Sequence, residues 1–200
     1  MPALSLTLPV RQLVEFLLRT GSIDNRFTGF DRALEGVRLH RKLQKEAVAA
    51  HPDYAAEVSL RHTLTAAEVE YTIEGRADGI FTAPDGIVTI DEIKTTALPA
   101  DAITGEQSPE HWAQGQVYAF IYGVQHDLPR LRVQLTYYQL DEELTLRFSR
   151  DHTIGELTGI VTGLLEQYAP WARRAASWRE QRAAGLAAMG IPLPSSAAPP

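Results

Sequence analysis

The spacing of apolar and polar residues predicts helices in the first quarter of the chain. Residues 10–21 (VRQLVEFLLRTG) carry apolar side chains at helical spacing and end at Gly21, a residue type that commonly terminates helices. A loop-like sequence, SIDNRFTGF, follows. Helical periodicity then resumes from about residue 31 to residue 50, with Thr28 or Asp31 as possible N-caps. We therefore expect the chain to begin with helices and to form its sheet afterwards.

The pattern changes to that of β-strands after residue 54. Alternation, or enrichment in β-branched and aromatic residues, predicts strands over 55–65, 68–75, 77–83 and 87–96, and again over 130–140 and 143–150. The sequence APDG predicts a turn, because Pro84 presets φ and Gly86 readily takes a positive φ. The strand that contains Asp78 and the strand that contains Glu92 should therefore form a hairpin, and the last two strands should form another.

Helical spacing returns in the second half of the chain. A loop over 97–109 leads into the helical sequence PEHWAQGQVYAFIYGVQ, and a long helical stretch runs from about His152 to Ala188, with an interruption expected at Pro170. The Pro/Ala/Ser-rich residues 189–200 predict a flexible tail or linker. The whole order indicates one α/β domain over 1–188, with helices packed on a central sheet.

Composition narrows the class of protein. The formal net charge is −6, so no overall positive field attracts nucleic acid or acidic membranes. The chain has no cysteine, which excludes disulfides, thiolate zinc sites, iron–sulfur clusters and a cysteine nucleophile. No apolar run is long enough to span a bilayer, and the first residues lack the pattern of a secretory leader. We expect a soluble cytoplasmic protein.

Two acidic residues and a lysine occupy the predicted hairpin. Alternation places Glu92 and Lys94 on one face of their strand, and the partner strand can bring Asp78 alongside. Two carboxylates this close repel unless they are protonated or bridged by a cation, and hard ions such as Mg²⁺ favour sparse carboxylate sites. Such an ion can activate water for phosphodiester cleavage, with Lys94 orienting the water or stabilising charge. The alternative is an ordinary surface salt bridge at a strand end.

The lysine is informative because the chain prefers arginine. Of its 19 basic residues only Lys42, Lys45 and Lys94 are lysines. A compact ammonium group on a flexible stem suits a role beside a reacting phosphate better than a planar guanidinium group does.

Helix positions add further candidate residues. Gln114 and Tyr118 are four apart on one helical face and could hold the scissile phosphate or a base; alternatively, they belong to an ordinary amphipathic helix. Gly36 and His40 are one turn apart. His40 is either a core histidine or an imidazole ligand that completes the metal shell, with Gly36 leaving room for substrate or a strand.

Local basic patches would have to bring DNA to the site. Arg38, Arg41, Lys42 and Lys45 surround His40, and Arg76 lies two residues before Asp78. A second cluster consists of Arg173, Arg174, Arg179 and Arg182, and the aromatic residues available to unpaired bases are Trp112, Tyr118 and Tyr122. The C-terminal arginines could equally decorate a solvated helix face.

The sequence resembles the RecB-like branch of the PD-(D/E)XK nucleases in the order of its motif residues. These are His40, Asp78, Glu92-x-Lys94 and Gln114-x-x-x-Tyr118. The resemblance is closest to the N-terminal nuclease-like domain of some bacterial DinG-like helicases, and covers roughly residues 9–185. It implies a restriction-endonuclease-like core, a mixed central β-sheet flanked by helices. It further implies that His40, Asp78, Glu92 and the Ile93 carbonyl ligate Mg²⁺ or Mn²⁺, that Lys94 is catalytic, and that Gln114 and Tyr118 contact substrate.

The sequence departs from related nucleases in two ways. Some CRISPR-associated members hold an iron–sulfur cluster on cysteines that this chain lacks, and no phosphate-loop motif of a helicase motor is present. We expect a metal-dependent deoxyribonuclease that acts on single strands or DNA ends in DNA repair or processing, with a helicase in cis or in trans. The alternatives are a non-cleaving DNA-binding or docking module of a helicase, and a hydrolase of small phosphate esters.

Overall fold

A computed structural model describes residues 4–18, 30–106 and 108–189, with the side chains of 30–37 and 187 left out. Within these residues the strands are β1 (Leu4–Pro9), β2 (Ala55–Ala66), β3 (Val69–Thr82), β4 (Val88–Thr96), β5 (Arg130–Gln139) and β6 (Leu144–Thr153). The helices are α1 (Val10–Leu18), α2 (Phe30–Ala50), α3 (Pro109–Gln125) and α4 (Ile154–Ala188), with a 3₁₀ turn at Ala100–Ala102.

The strands form one mixed sheet in the order β1-β3-β4-β5-β6, with β2 also paired to β3. β1 and β3 are parallel, as are β4 and β5, which α3 connects; the remaining pairs are antiparallel. The hairpin turn between β3 and β4 places Gly86 at φ 81°, as its sequence predicts. The fold class expected from the sequence is therefore confirmed.

The long strand β3 leaves part of one edge unpaired. β2 pairs with it over nearly its whole length, so β1 and β4 must share the other edge. β1 covers Val69–Glu74 and β4 covers Gly79–Thr82, which leaves residues 75–78 between them. We call these four residues the β3 gap. It opens the sheet at the point where β4 diverges towards β5.

Helices cover both faces of the sheet. Ile93 of β4 is 1% exposed and packs with Leu43 of α2, whereas the neighbouring Glu92 faces α3, whose Gly115 lies close to its Cβ. Because adjacent strand residues point to opposite faces, α2 lies on one side and α3 on the other. The main hydrophobic core joins α1, α3 and α4 to the second side of the sheet, and α2 contributes to two smaller clusters.

Three expectations about the elements were wrong. The alternating sequence of Leu4–Pro9 forms a strand that the sequence analysis did not predict. Residues 68–75 and 77–83, expected as separate segments, belong to the single strand β3. α4 continues through Pro170. The proline has no N–H for the Glu166 carbonyl, but both residues are exposed, so water can hydrogen-bond to that carbonyl instead.

The ends of the first two helices are described only in part. Asp31 lies inside α2 rather than at its N-cap, since the helix begins at Phe30. The predicted helix end at Gly21, the cap at Thr28 and the tail from residue 190 onwards lie outside the described residues. No helix in the ranges that the structure covers is both long and apolar enough to cross a membrane.

The close approach of α3 to the sheet predicts that Gly115→Ala destabilises the protein. A Cβ at residue 115 would lie 2.5 Å from Cγ1 of Val133, which is fully buried on β5. Overpacking of this kind costs about 1–3 kcal/mol. We expect a lower midpoint in urea unfolding. Gly159→Ala in α4 is the control: its Cβ would meet no atom within 4 Å, so helix propensity alone should stabilise that variant by about 1 kcal/mol.

Candidate active site

Asp78 lies at the end of the β3 gap, where neither neighbouring strand pairs with it regularly. On the β2 side, Glu57 adopts a left-handed φ of 56°, and its pairing with Asp78 is missing from a ladder whose register is unchanged on both sides. Gln44 of α2 fills the space by donating to the Asp78 carbonyl and to the Glu57 carboxylate, each at 2.9 Å. On the β4 side, the Asp78 side chain takes the place of a strand partner and accepts the Ile93 N–H at 2.8 Å. The bond to the Ile93 N–H, at the end of the gap, thus fixes this carboxylate between β3 and β4.

His40 approaches Asp78 from α2. Its Nδ1 lies 3.8 Å from Oδ1 of Asp78, and both side chains are mostly buried. Burial raises the pKa of Asp78, while His40, the Ile93 N–H and Lys94 oppose that shift. His40 therefore faces Asp78, and its role as a metal ligand stays a prediction. Gly36 lies in the part of α2 whose side-chain surroundings are outside the description.

Glu92 is the most unusual side chain of the site. It is 1% exposed; its Oε1 accepts from Nζ of Lys94 at 2.6 Å, and its Oε2 is buried with no hydrogen-bond partner among the described residues. Burial raises its pKa to about 8, despite Lys94 and with a contribution from Asp78. A buried carboxylate with a free oxygen requires a cation or a proton there. This oxygen is therefore suited to bind a metal ion.

α3 brings the two predicted substrate-contacting residues to the same side. Lys94 donates to Oε1 of Gln114 at 3.4 Å. Tyr118 hydrogen-bonds with Gln114 and with the backbone of Arg76, and burial raises its pKa. A Cβ on Gly75 would lie 2.6 Å from the Tyr118 hydroxyl, so only glycine leaves room for this contact with the β3 gap.

The other predicted site residues lie further out. Arg41 is exposed on α2, next to His40 in sequence. Arg76 is exposed and forms an ion pair with Glu57 at 2.6 Å. The Ile93 side chain is buried against α2, so only its backbone could contribute to a metal site. Trp112 and Tyr118 are 4% and 3% exposed, which contradicts the expectation that both are available to stack on unpaired bases.

Of the three proposed side-chain ligands, His40 and Asp78 face each other, whereas Glu92 pairs with Lys94. Within the ranges that the structure describes, no group of three or more His, Cys, Asp or Glu side chains is arranged to hold a metal ion. Instead, His40 faces Asp78, and Lys94 neutralises Glu92. The donor chemistry nevertheless fits Mg²⁺ or Mn²⁺, since a free carboxylate oxygen, a second carboxylate and an imidazole border the gap. The binding of one ion by all three residues stays a prediction.

Two residues near the site were missed by the sequence analysis. Arg11 of α1 bonds to Glu15 at 2.6 Å, and its pKa is raised by that bond and, further, by Glu92 and Tyr118. His111 of α3 lies near Lys94 and Arg11, and its Nδ1 is 2.8 Å from the Tyr137 hydroxyl. Only the packing of α1 and α3 on the sheet brings these residues to Glu92. A local sequence pattern could not have indicated their position.

Asp91, adjacent to Glu92, faces the other side of the sheet. It is 3% exposed and accepts hydrogen bonds from Thr136 at 2.6 Å, Gln134 at 3.0 Å and Tyr54 at 3.1 Å. These neutral donors satisfy both of its oxygens. Asp91 borders a cavity of about 250 Å³ beneath α2, separated from Glu92 by the strand itself. Of these two adjacent residues, Asp91 therefore has a structural role, and Glu92 belongs to the candidate active site.

His111 predicts an acid-dependent loss of stability. Burial, then Lys94 and Arg11, lower its pKa from 6.5 to about 4. His111 takes up a proton below about pH 6.5 in the unfolded chain but only near pH 4 in the folded chain. The stabilisation by its neutral form is therefore complete above pH 6.5 and is lost as the pH falls to 4. After allowance for partial solvent screening, the loss is about 2 kcal/mol.

The measurement is the free energy of unfolding in urea at pH 7, 5.5 and 4, for the wild type and for His111→Gln. We expect the variant to be less sensitive to acid over this range. Equal slopes in both proteins would contradict the assignment. Glu110→Gln, which changes a partly exposed neighbour on the same helix turn, is the control.

The sheet, its flanking helices and the site at the strand divergence define a restriction-endonuclease-like fold. An alkaline exonuclease from Laribacter hongkongensis, LHK-Exo, aligns with a TM-score of 0.54 at 16% identity, covering 90% of this chain and 94% of that chain. In its complex with dAMP, LHK-Exo gives 0.58 at 15% identity with the same coverage. The protein SSO0001 gives 0.53 at 21% identity, covering 78% and 72%.

At these identities the likeness establishes the fold and not the reaction. No protein-family model matches the chain, and no curated protein matches it significantly.

Proposed function

We propose that the protein is a divalent-metal-dependent deoxyribonuclease of the PD-(D/E)XK type that hydrolyses phosphodiester bonds in DNA. The observation that carries the proposal is Glu92, a fully buried carboxylate with one oxygen free and an ammonium group 2.6 Å from the other. The shared fold with an alkaline exonuclease supports the reaction class. Single strands or DNA ends in repair or processing are the substrates that we infer.

Each residue has a proposed role. His40, Asp78, Glu92 and the Ile93 carbonyl would hold Mg²⁺ or Mn²⁺, which when bound polarises the phosphoryl group and acidifies water. Lys94, anchored between Glu92 and Gln114, would orient the attacking water and stabilise the charge that develops on phosphate. Asp78 is positioned by its bond to the Ile93 N–H, so the strand itself orients this carboxylate.

Substrate contacts would come from α3, α1 and α2. Gln114 and Tyr118 lie at the β3 gap, where a phosphate or base edge could meet them. Arg11 offers a guanidinium group near Glu92, and Arg41 and Arg76 lie at the exposed rim of α2 and β3. The contacts of the three arginines would be to phosphate and would carry no sequence preference.

Cleavage of end-labelled DNA tests this function. Single strands labelled at either end, duplex and flapped DNA would be incubated with Mg²⁺, Mn²⁺ or EDTA and resolved on a denaturing gel. We expect metal-dependent products, and the label position gives the polarity. Calorimetric titration with Mn²⁺ checks metal binding separately. Absence of product with every substrate and both ions would contradict a nuclease.

A second candidate function is a non-cleaving DNA-binding or docking module of a helicase, in cis or in trans. One observation favours it: in the described part of the chain, His40 faces Asp78 while Glu92 pairs with Lys94, and no three-ligand group is formed. Tight DNA binding without product, together with no Mn²⁺ binding, is the result that would select this function.

A further inference from the structure

The last half of α4 carries aromatic and basic side chains along one exposed face. Trp171, Arg174, Trp178 and Arg182 follow one another at spacings of three, four and four residues, which places them on a single face of the helix. Among the described residues Trp171 is 46% exposed and Trp178 is 61% exposed. We call these four residues the Trp/Arg stripe. It extends over about 17 Å at the usual helical rise.

The start of the Trp/Arg stripe is held by the body of the protein. The Phe16 ring on α1 lies 5.3 Å from the Trp171 ring and 5.4 Å from the Tyr168 ring, edge to face in both cases. The guanidinium group of Arg174 lies 5.0 Å above the Trp171 ring. These contacts restrict the Trp171 side chain before any partner arrives, which lowers the entropy cost of binding.

The charge around the stripe is opposite to that of the chain. Between Trp171 and Met189 there are four arginines and one acidic residue, Glu180, whereas the whole chain carries a net charge of −6. Arg173, on another side of the helix, is engaged with the Ala67 carbonyl and lies 3.8 Å from Glu68. Among the residues that the structure describes, no acidic side chain forms an ion pair with Arg174 or Arg182, so the local field of the stripe favours a polyanion.

We propose that the Trp/Arg stripe binds single-stranded nucleic acid, with bases stacked on Trp171 and Trp178 and phosphates on Arg174 and Arg182. Alternation of aromatic rings with cations is the chemistry of sequence-independent single-strand binding. A helix of another protein would instead need a continuous apolar seam, and here arginines interrupt it. The choice of nucleic acid as the occupant rests on the proposed nuclease function, and the stripe would hold the strand outside the active site.

Binding is measured with cleavage blocked, so that the two proposals can fail separately. The Glu92→Gln protein in EDTA is titrated with a 20-nucleotide oligothymidylate, and quenching of tryptophan fluorescence is followed. The remaining tryptophan, Trp112, is 4% exposed and should contribute an unquenched background. We expect the further change Trp178→Ala to weaken binding at least about fivefold. The double change Arg174→Ala and Arg182→Ala should reduce the slope of log binding constant against log salt concentration by about 1.4 in magnitude.

Arg130→Ala is the matched control for charge. Arg130 is exposed and pairs with Thr153 at the other end of α4, about 37 Å from Trp178 at the usual helical rise. This control should bind as the parent does. Affinity unchanged by Trp178→Ala would overturn the proposal. A second result would also overturn it: sedimentation equilibrium that gives the mass of a dimer for the parent and of a monomer for Trp178→Ala. The stripe would then pair with a second copy of the chain.

Discussion

Glu92→Gln and Lys94→Ala should each abolish metal-dependent cleavage of DNA while leaving the protein folded. The first change keeps the shape of the side chain but removes the charge that a bound cation needs, and replaces one oxygen by an amide donor. The second removes the ammonium group 2.6 Å from Glu92, which we propose stabilises charge on the phosphate. Loss of a positioned acid–base or electrostatic group costs about 10²–10⁴-fold in rate.

The measurement is the initial rate on end-labelled single-stranded DNA with saturating Mg²⁺ and with Mn²⁺, alongside urea unfolding. Glu74→Gln is the matched control, because Glu74 is also on the sheet but pairs with Arg61 at the surface. Calorimetry with Mn²⁺ should separate the two variants: Glu92→Gln weakens metal binding, whereas Lys94→Ala retains it. Full activity in both variants would eliminate the proposed site.

Asp91→Ala should destabilise the protein by about 3 kcal/mol, whereas Asp91→Asn should cost less than about 1.5 kcal/mol. Alanine leaves the donors of Thr136, Gln134 and Tyr54 without their shared acceptor in a buried place. Asparagine keeps one oxygen for Thr136 and Gln134, and the Tyr54 hydroxyl can accept from the new amide group. The measurement is the free energy of unfolding from urea titrations at pH 7.

Cleavage by the Asp91→Asn protein provides the functional half of this test. Since β4 separates Asp91 from Glu92, we expect the rate to remain close to that of the wild type. A rate reduced as severely as in Glu92→Gln would mean that Asp91, rather than its neighbour, belongs to the reaction. A stable Asp91→Ala protein would contradict the structural role.

The hairpin and its chemistry could be predicted because they depend on local rules. Strand alternation alone puts Glu92 and Lys94 on one face and Ile93 on the other, and the APDG turn fixes the partner strand. Helical spacing likewise joins Gln114 to Tyr118. The alternation of leucines in Leu4–Pro9 is an equally local pattern and is typical of the strand that this segment forms.

The remaining features depend on tertiary structure and could not be predicted. The β3 gap arises because β1 ends at Pro9, opposite Glu74, and β4 pairs with β3 only from Gly79 onwards; no local sequence pattern fixes either limit. The division of work between Asp91 and Glu92 depends on which helix covers each face. Alternation separates the two carboxylates, but burial and hydrogen-bond donors decide which one is satisfied.

The separate packing of α2 has a consequence for how the site responds to its ligand. Glu92 and Lys94 belong to a strand that pairs with β5 from Thr89 to Thr96 and is faced by the main core, whereas His40 is carried by a helix whose apolar contacts form two small satellite clusters. Local opening requires less free energy where fewer buried contacts must be broken. The helix that bears the imidazole can therefore change its distance from Asp78 at a lower free-energy cost than β4 can move. Binding of the proposed cation would then shift the population of helix positions and would not require folding of the domain.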